Sequence, residues 1–178
     1  MYAVKKPLTS KDTTAAEIAD LIESFHTDLD LVLTTGPGGK QVKMSTLTLP
    51  KYFDLVKNIP YRRDPSNPPV EVIARPYYLF KYARLGLDCK KKAVAIGAWL
   101  RYHLIPFRLI GSSQRKDKKV HHIYCEALVN GTWKPVDATY ARYRLYQPKT
   151  DLTKKRFKFC LTINTIKICS NHFPFMKS

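Results

Sequence analysis

Two stretches of the chain place apolar residues at the three- and four-residue spacing of a helix with a buried face. The first follows Thr14-Ala-Ala-Glu17, which has the pattern of a capping box, and it predicts a helix over about 14–27. The second runs behind Asp88-Cys89 and predicts a buried helix that begins at the cysteine. A thiol is therefore expected at a helix N-terminus.

Strand-like runs flank two turn sequences. Gly36-Pro-Gly-Gly39 predicts a hairpin over 31–49, and Asn130-Gly131 predicts another over 120–136. Asn-Gly between strands is a strong hairpin signal, because both residues accept the positive φ angles of a type I′ turn. The other predicted elements are two short helices and a strand, at 51–59, 76–84 and 105–110.

Length and composition indicate one globular domain with appended arms. The chain has 178 residues, of which 44% are hydrophobic and 12% aromatic. The pattern divides it into an N-terminal helix-and-hairpin extension over 1–49, a core over 50–145 and a basic, strand-like extension over 146–178. The longest uncharged apolar run has eight residues, whereas a membrane span needs about 20. With no secretory leader, the expected location is the cytoplasm, or a virion that packages a cytoplasmic product.

The net charge of +17 is unevenly distributed. Residues 1–50 carry net −1, whereas 51–178 carry net +18. A field of this sign attracts nucleic acid, anionic surfaces or acidic proteins, and the attraction weakens with salt. Aromatic residues interleave with basic ones over 140–146 and 154–159, as they do in nucleic-acid-binding surfaces. An amphipathic strand with a solvated basic face has the same pattern, so both interpretations stay open.

Four cysteines are present, and they form no C-x-x-C pair, which argues against a structural zinc site. Without an export signal, a disulfide framework is not expected either. No metal or other cofactor is predicted. Cys125, Cys160 and Cys169 lie in strand-like runs and are interpreted as structural, which leaves Cys89 as the thiol whose setting suggests chemistry.

Cys89 is a candidate nucleophile because free amides and the macrodipole at a helix N-terminus stabilise a thiolate. The next three residues, Lys90, Lys91 and Lys92, oppose the dipole and cost helix stability, so a compensating role is expected. The hypothesis is that they stabilise the thiolate further or attract an acidic substrate. Further candidates for anion binding lie in the following polar loop: Arg115, Lys116, Lys118 and Lys119.

His122 and Asp137 are candidates to complete a catalytic triad. They lie on the two arms of the Asn130-Gly131 hairpin, near the same end, where cross-strand neighbours touch. An aspartate in that position holds the tautomer of an imidazole that activates a thiol. His121 is expected on the opposite face of the strand, because successive side chains alternate, and it is the alternative to His122.

Three separated motifs resemble the transglutaminase-like superfamily. Gly86-Leu-Asp-Cys89-Lys-Lys-Lys-Ala93 resembles its Gly-Asp-Cys motif, and Leu100–Leu109 is similar to its helix exit and Gly-Ile-Pro-type strand entry. Its histidine and aspartate strands are similar to His122-Ile-Tyr-Cys-Glu126 and to Asn130-Gly-Thr-Trp133 with Pro135-Val-Asp-Ala-Thr139. The match covers roughly 50–145. It departs from the family pattern in the inserted Leu87 and in the lysines after the cysteine.

The resemblance implies an α+β, papain-like core in which the cysteine-bearing helix packs on an antiparallel sheet. It implies Cys89 as nucleophile, His122 as general base and Asp137 as the residue that orients the histidine. The backbone amide of Cys89 would be one oxyanion donor. The second would come from an upstream group, for which Tyr61 is named, with Tyr77 and Tyr78 as alternatives.

The expected activity is acyl transfer through a thioester on Cys89, in a peptidase or amidase that acts on a peptide or protein, including an acidic one. Protein crosslinking is the enzymatic alternative, since amine and water compete for the same thioester. A third candidate is a basic module that binds nucleic acid or a virion component and retains a vestigial triad. A compact basic member of the superfamily would suit a phage or a mobile element.

Overall fold

The computed structural model describes residues 3–7, 11–65, 70–157, 160–163 and 166–169. None of the helices in these ranges is long and apolar enough to cross a membrane. The helices are α1 Lys11–Phe25, α2 Leu49–Asn58, α3 Pro76–Lys81 and α4 Cys89–Tyr102. The strands are β1 Ala3–Pro7, β2 Leu33–Thr35, β3 Gln41–Lys43, β4 Val70–Ala74, β5 Phe107–Ser113, β6 His122–Val129, β7 Thr132–Val136, β8 Thr153–Phe157, β9 Cys160–Ile163 and β10 Ile166–Cys169.

The main sheet is antiparallel and has four strands in the order β7-β6-β5-β8. Helix α4 packs on this sheet, chiefly on β6, and α1 packs on α4 from the other side. Three further antiparallel pairs, β1 with β4, β2 with β3 and β9 with β10, lie outside it. The predicted α+β class, with the cysteine-bearing helix packed on an antiparallel sheet, is confirmed.

Helix α4 begins at Cys89 because Asp88 caps it. The Asp88 side chain accepts a hydrogen bond from the backbone amide of Lys91 at 3.1 Å, which satisfies one of the unpaired amides of the first turn. The helix is buried almost all round from Lys92 to Leu100. At Gly97 a Cβ atom would lie 2.3 Å from Cδ1 of Ile22 in α1, so the glycine sets the close approach of the two helices.

The predicted elements are present, with shifted ends. Helix α1 starts at Lys11, three residues before the expected capping residue, so Thr14 lies inside the helix and is buried. The first hairpin forms, but β3 ends at Lys43, and a 3-10 turn over Met44–Thr46 follows where a strand was expected to continue to 49. Met44 and Ser45 are both buried, and this turn folds them inward.

Residues from both predicted extensions complete the fold around the central part of the chain. Ile18 and Ile22 of α1 are buried in the core, and β8 pairs with β5 in the main sheet. The boundaries predicted at 49 and 145 therefore do not separate packed units. Only Phe157 of β8 is buried, whereas Lys154, Lys155 and Arg156 are exposed, and Lys154 pairs with the buried Glu126.

Candidate active site

His122 and Asp137 are in contact, as the hairpin register predicts. His122 opens β6, and Asp137 directly follows β7, two strands joined by Asn130 and Gly131 with φ angles of 50° and 73°. The Nε2 atom of His122 lies 2.7 Å from Oδ2 of Asp137 and donates to it. Since Nε2 is occupied by the carboxylate, Nδ1 is the ring nitrogen left to face another group.

That group is the thiol of Cys89. Cys89 and His122 line the same cleft, and the thiol lies close enough to the imidazole to influence it, so the imidazole has the thiol on one side and the carboxylate on the other. Burial lowers the pKa of His122, but the hydrogen bonds to Asp137 and Cys89 and their negative charges outweigh it and raise the pKa to about 9. At neutral pH the histidine is therefore an imidazolium. An imidazolium beside a thiol stabilises the thiolate form and holds a proton for a leaving group.

Asp137 is buried and has a donor on each oxygen. Its Oδ1 accepts from the backbone amide of Thr139 at 3.0 Å, and its Oδ2 accepts from Nζ of Lys149 at 2.5 Å as well as from His122. Burial raises the pKa of this carboxyl, but His122 and Lys149 outweigh burial and hold it well below its usual range. The Asp137 carboxyl is therefore an anion throughout the neutral pH range.

Tyr61 is held beside Cys89 by backbone pairing. Leu87 donates its amide to the carbonyl of Pro60 at 2.9 Å and accepts from the amide of Arg62 at 3.3 Å, so the segment before the cysteine runs alongside the segment that carries Tyr61. Leu87, which directly precedes the capping residue Asp88, thus has a structural role. Burial and the nearby charge of Cys89 raise the pKa of Tyr61 to about 12, which keeps the phenol protonated.

The other two tyrosines considered as oxyanion donors lie elsewhere. Tyr77 donates its backbone amide to Asp28 at 3.1 Å, and Tyr78 stacks on Tyr82, away from the thiol. Neither lines the cleft that contains Cys89. Of the three tyrosines, Tyr61 is the one that lines this cleft.

The three lysines after Cys89 do not form a cluster that faces a ligand. Lys92 is 1% exposed, and its Nζ donates to the carbonyls of Lys57, Ile59 and Thr139 at 3.1, 2.7 and 3.1 Å. Burial lowers its pKa to about 8. Its role is to tie the end of α2 to the loop after Asp137. The predicted anion-binding role therefore does not fit Lys92.

Lys90 and Lys91 are paired with carboxylates. Lys90 Nζ lies 2.5 Å from Oδ2 of Asp88 and 3.3 Å from Oδ2 of Asp64, and Lys91 Nζ pairs with Oδ1 of Asp64. Asp88, the capping residue, is buried, and burial raises the pKa of its carboxyl against the lowering effect of the two lysines. This ion-pair network offsets the unfavourable charge in the first turn of α4.

A cleft of about 450 Å³ opens in front of Cys89 and His122. Tyr61, Tyr140 and Tyr143 form an aromatic wall, with ring centroids 5.0 and 5.3 Å apart along the series. Tyr140 and Tyr143 of the 140–146 stretch thus line this cleft, whereas Tyr146 packs against the core.

The predicted anion-binding residues divide between the cleft and its surroundings. Lys90 and Arg115 line the cleft, whereas Lys116, Lys118 and Lys119 are exposed in the adjoining loop and do not. His121 is exposed and also lines the cleft, but its Nδ1 lies 3.2 Å from the carbonyl of Lys119, and it makes no hydrogen bond with Asp137 as His122 does. Within the described residues, no three His, Cys, Asp or Glu side chains are grouped as a metal site requires.

Sequence patterns missed Lys149, because residues 137–152 form no regular element whose period could indicate where a side chain points. They also missed the burial of Lys92, although a signal was present. Lys92, Ile96 and Trp99 are spaced i, i+4, i+7 and share one face of α4. Cys125 is fully buried as predicted, and its thiol donates to the carbonyl of Ala93 at 3.5 Å. The thiols of Cys160 and Cys169 fall outside the described side chains.

No protein-family model matches the chain, and no curated protein matches it in sequence. Among solved structures, the chain is similar to one described as "a Putative Cysteine Protease from Cytophaga hutchinsonii", with 17% identity and a TM-score of 0.39. The similarity covers 71% of this chain and 39% of that protein. A likeness this distant assigns no function, so the function is inferred from the geometry of the site itself.

Proposed function

We propose that this protein is a cysteine-dependent acyl-transfer enzyme of the transglutaminase-like type, acting as a peptidase or amidase through a thioester on Cys89. The observation that carries the proposal is the order of three groups: a thiol at a helix N-terminus, a histidine beside it, and a buried carboxylate hydrogen-bonded to Nε2 of that histidine. In this order each group supplies what the next one needs for nucleophilic catalysis.

The proposed reaction starts from an ion pair of the Cys89 thiolate and the His122 imidazolium. The Cys89 thiolate attacks the carbonyl carbon of an amide, and the charge moves to the carbonyl oxygen. The backbone amide of Cys89 and the phenol of Tyr61 are the proposed donors to that oxygen. The His122 imidazolium gives its proton to the leaving amine as the C–N bond breaks, which leaves a thioester and a neutral imidazole.

Water completes the cycle in the hydrolytic reaction. His122, now a base, accepts a proton from the water that attacks the thioester, and the acid product leaves as the thiolate and imidazolium re-form. Asp137 stays ionised throughout and stabilises the imidazolium. An amine in place of water would give a new amide bond, which is the crosslinking alternative.

A panel of fluorogenic peptides, assayed with and without an added primary amine, tests the proposal. The expected result is release of the amine fluorophore with a free carboxylate product, lost in Cys89→Ala, with Cys125→Ala as the matched control. Covalent attachment of the added amine to the acyl product would assign crosslinking.

Iodoacetamide labelling read by mass spectrometry gives a second test that needs no substrate. Cys89 lines the cleft, whereas Cys125 is fully buried and burial raises its pKa strongly, so Cys89 should react far faster in the folded protein. Equal rates at the two thiols, or peptide hydrolysis that survives Cys89→Ala, would contradict the proposed function.

A further inference from the structure

The acidic side chains that line the Cys89 cleft are all held by internal donors. Asp64 and Asp88 pair with Lys90 and Lys91, and Asp151 accepts from the hydroxyl of Tyr124 at 3.1 Å. The charges of Asp64 and Asp88 are therefore matched by lysines before a ligand enters, whereas Asp151 is held by a neutral phenol.

Three arginines at the same cleft have no carboxylate partner among the described residues. Arg63, Arg115 and Arg142 line it, all three are exposed, and none forms an ion pair with a carboxylate of the described part of the chain. Two of them are positioned by phenols instead. Arg63 lies near the hydroxyl of Tyr61, and Arg142 lies 5.2 and 5.7 Å from the ring centroids of Tyr140 and Tyr143. Guanidinium groups placed this way remain free to bind carboxylates bidentately.

A buried hydroxyl supplies an independent observation. Ser112 is 1% exposed, and its Oγ has no hydrogen-bond partner among the described residues, although it lines this cleft. Ser112 lies directly opposite His122 in the antiparallel pair of β5 and β6, so both side chains project from the same face of the sheet. Buried polar groups without partners are rare in native proteins, and one beside a reacting centre indicates a group that a ligand completes.

We infer that the cleft recognises an acidic acyl substrate, one that carries carboxylates close to the amide bond that Cys89 attacks. The inference rests on the proposed function. The arginines supply the attraction and the bidentate contacts, and the Ser112 hydroxyl supplies a hydrogen bond to the substrate close to His122. The groups that would bind an acidic substrate are thus the three arginines, and not the lysines that directly follow Cys89.

Coulomb's law gives the expected size of the preference for an anionic substrate near each arginine. A unit positive charge about 8 Å from an anion in water raises the local concentration of that anion about two-fold at low ionic strength. Each arginine should therefore contribute about a two-fold preference, and salt should reduce it.

Two alkylating reagents of similar size and different charge measure this field at the thiol. The ratio of the iodoacetate to the iodoacetamide rate at Cys89 is compared with the same ratio for N-acetylcysteinamide, a neutral thiol. We expect a ratio at least about four-fold higher in the protein at low salt, falling towards the reference at 0.5 M NaCl. Arg115→Gln with Arg142→Gln should lower the ratio about four-fold. Arg144→Gln, a nearby exposed arginine that does not line the cleft, should leave it unchanged.

Matched peptides extend the test to turnover. Peptides with Glu on either side of the scissile amide should have a kcat/KM about four-fold or more above their Gln counterparts, and Arg115→Gln with Arg142→Gln should lower this preference about four-fold, which leaves the contribution of Arg63. Ser112→Ala should lower kcat/KM for the Glu peptides while leaving iodoacetamide labelling unchanged. Hydrolysis without a Glu preference, together with a reagent ratio equal to the reference, overturns the inference and leaves the proposed function standing. If neither iodoacetate nor iodoacetamide labels Cys89, both the inference and the proposed function are wrong.

Discussion

Lys149 and His122 donate to the same carboxylate oxygen. Their Nζ and Nε2 atoms lie 2.5 and 2.7 Å from Oδ2 of Asp137, and the Lys149 side chain is only 7% exposed. Its ammonium also lies 3.5 Å from the ring centroid of Tyr143, which lines the cleft. The charge of one buried anion is thus divided between two cations, and the state of His122 depends on a lysine that does not touch the thiol.

Replacing Lys149 with Met should move the titration of His122. Loss of the competing cation leaves Asp137 to interact with His122 alone, so the pKa of His122 should rise above its value of about 9. The buried carboxylate also loses a charged donor, which should destabilise the fold by about 1 to 3 kcal/mol. NMR titration of the imidazole protons measures the first effect. Lys116→Met, in the exposed loop, is the control. An unchanged His122 titration in Lys149→Met would show that the contact of Lys149 with Oδ2 of Asp137 does not influence the pKa of His122.

Asp137→Asn should preserve the fold and impair turnover. An amide cannot stabilise the imidazolium or fix its tautomer as the anion does, so the pKa of His122 should fall towards its ordinary value. Turnover of a cleavable peptide should drop by about 10² to 10⁴-fold. The check combines circular dichroism with kcat, and full activity in Asp137→Asn would remove the aspartate from the mechanism.

The two adjacent histidines should differ strongly. His122→Ala removes the group that lies between Cys89 and Asp137, and turnover should fall by at least as much as in Asp137→Asn. His121→Ala removes an exposed ring that contacts the carbonyl of Lys119, so its effect on kcat should be less than about ten-fold. Equal losses in the two variants would mean that strand alternation does not separate their roles.

Stability should fall between pH 6.5 and 8. The folded-state pKa of His122, about 9, exceeds its ordinary value of 6.5, so its stabilisation is complete below about pH 6.5 and is lost as the pH rises towards 9. Over this window the loss should reach about 2 kcal/mol. Denaturant unfolding at each pH measures it, and His122→Ala should flatten the profile. A wild-type protein equally stable at pH 6.5 and 8 would contradict the prediction.

Lys92 and Asp137 also titrate, and they determine the pH range in which the effect of His122 on stability can be seen. Lys92 has a pKa lowered to about 8, so its contribution makes stability rise between pH 8 and its ordinary value of 10.5, opposite to that of His122. Asp137 has a depressed pKa, so its stabilisation is present above its ordinary value of 3.8 and is lost only as the pH falls below it. The decline is therefore clearest below pH 8.

Lys92→Met should cost more stability than Lys91→Met. The methionine would fill similar space but would leave the carbonyls of Lys57, Ile59 and Thr139 without their donor, at a cost of about 2 to 4 kcal/mol. Lys91 pairs with Asp64, which keeps Lys90 as a second cationic partner, so its loss should cost only about 1 to 2 kcal/mol. Unfolding free energies of both variants decide the matter, and a smaller cost at Lys92 would refute the buried-donor role.

Local patterns predicted the parts of the site whose placement is local. The start of α4 at Cys89 follows from Asp88 and the apolar period behind it, and the contact of His122 with Asp137 follows from the two-residue turn that fixes the register. The contribution of β8 to the main sheet could not be predicted in this way, because it depends on which strand lies beside β5, and strand order is a non-local property.

The charged residues were harder to place for a related reason. A run of lysines after Cys89 has the same sequence signature whether it faces solvent, forms ion pairs or turns inward, and the structure contains the last two cases. The partners that decide between them, Asp64 and the carbonyls around Lys92, lie 27 to 47 residues away in sequence.

The ammonium of Lys92 also bears on the order of folding. It joins three segments through contacts that span 33, 35 and 47 residues, and long loops must close before those contacts form. Helix α4 can form from its own local contacts much earlier. In a newly synthesised chain, Cys89 would then lie on a formed helix before His122, Asp137 and the oxyanion donors reach it. The Cys89 thiol would therefore become reactive only after the last of these long loops has closed.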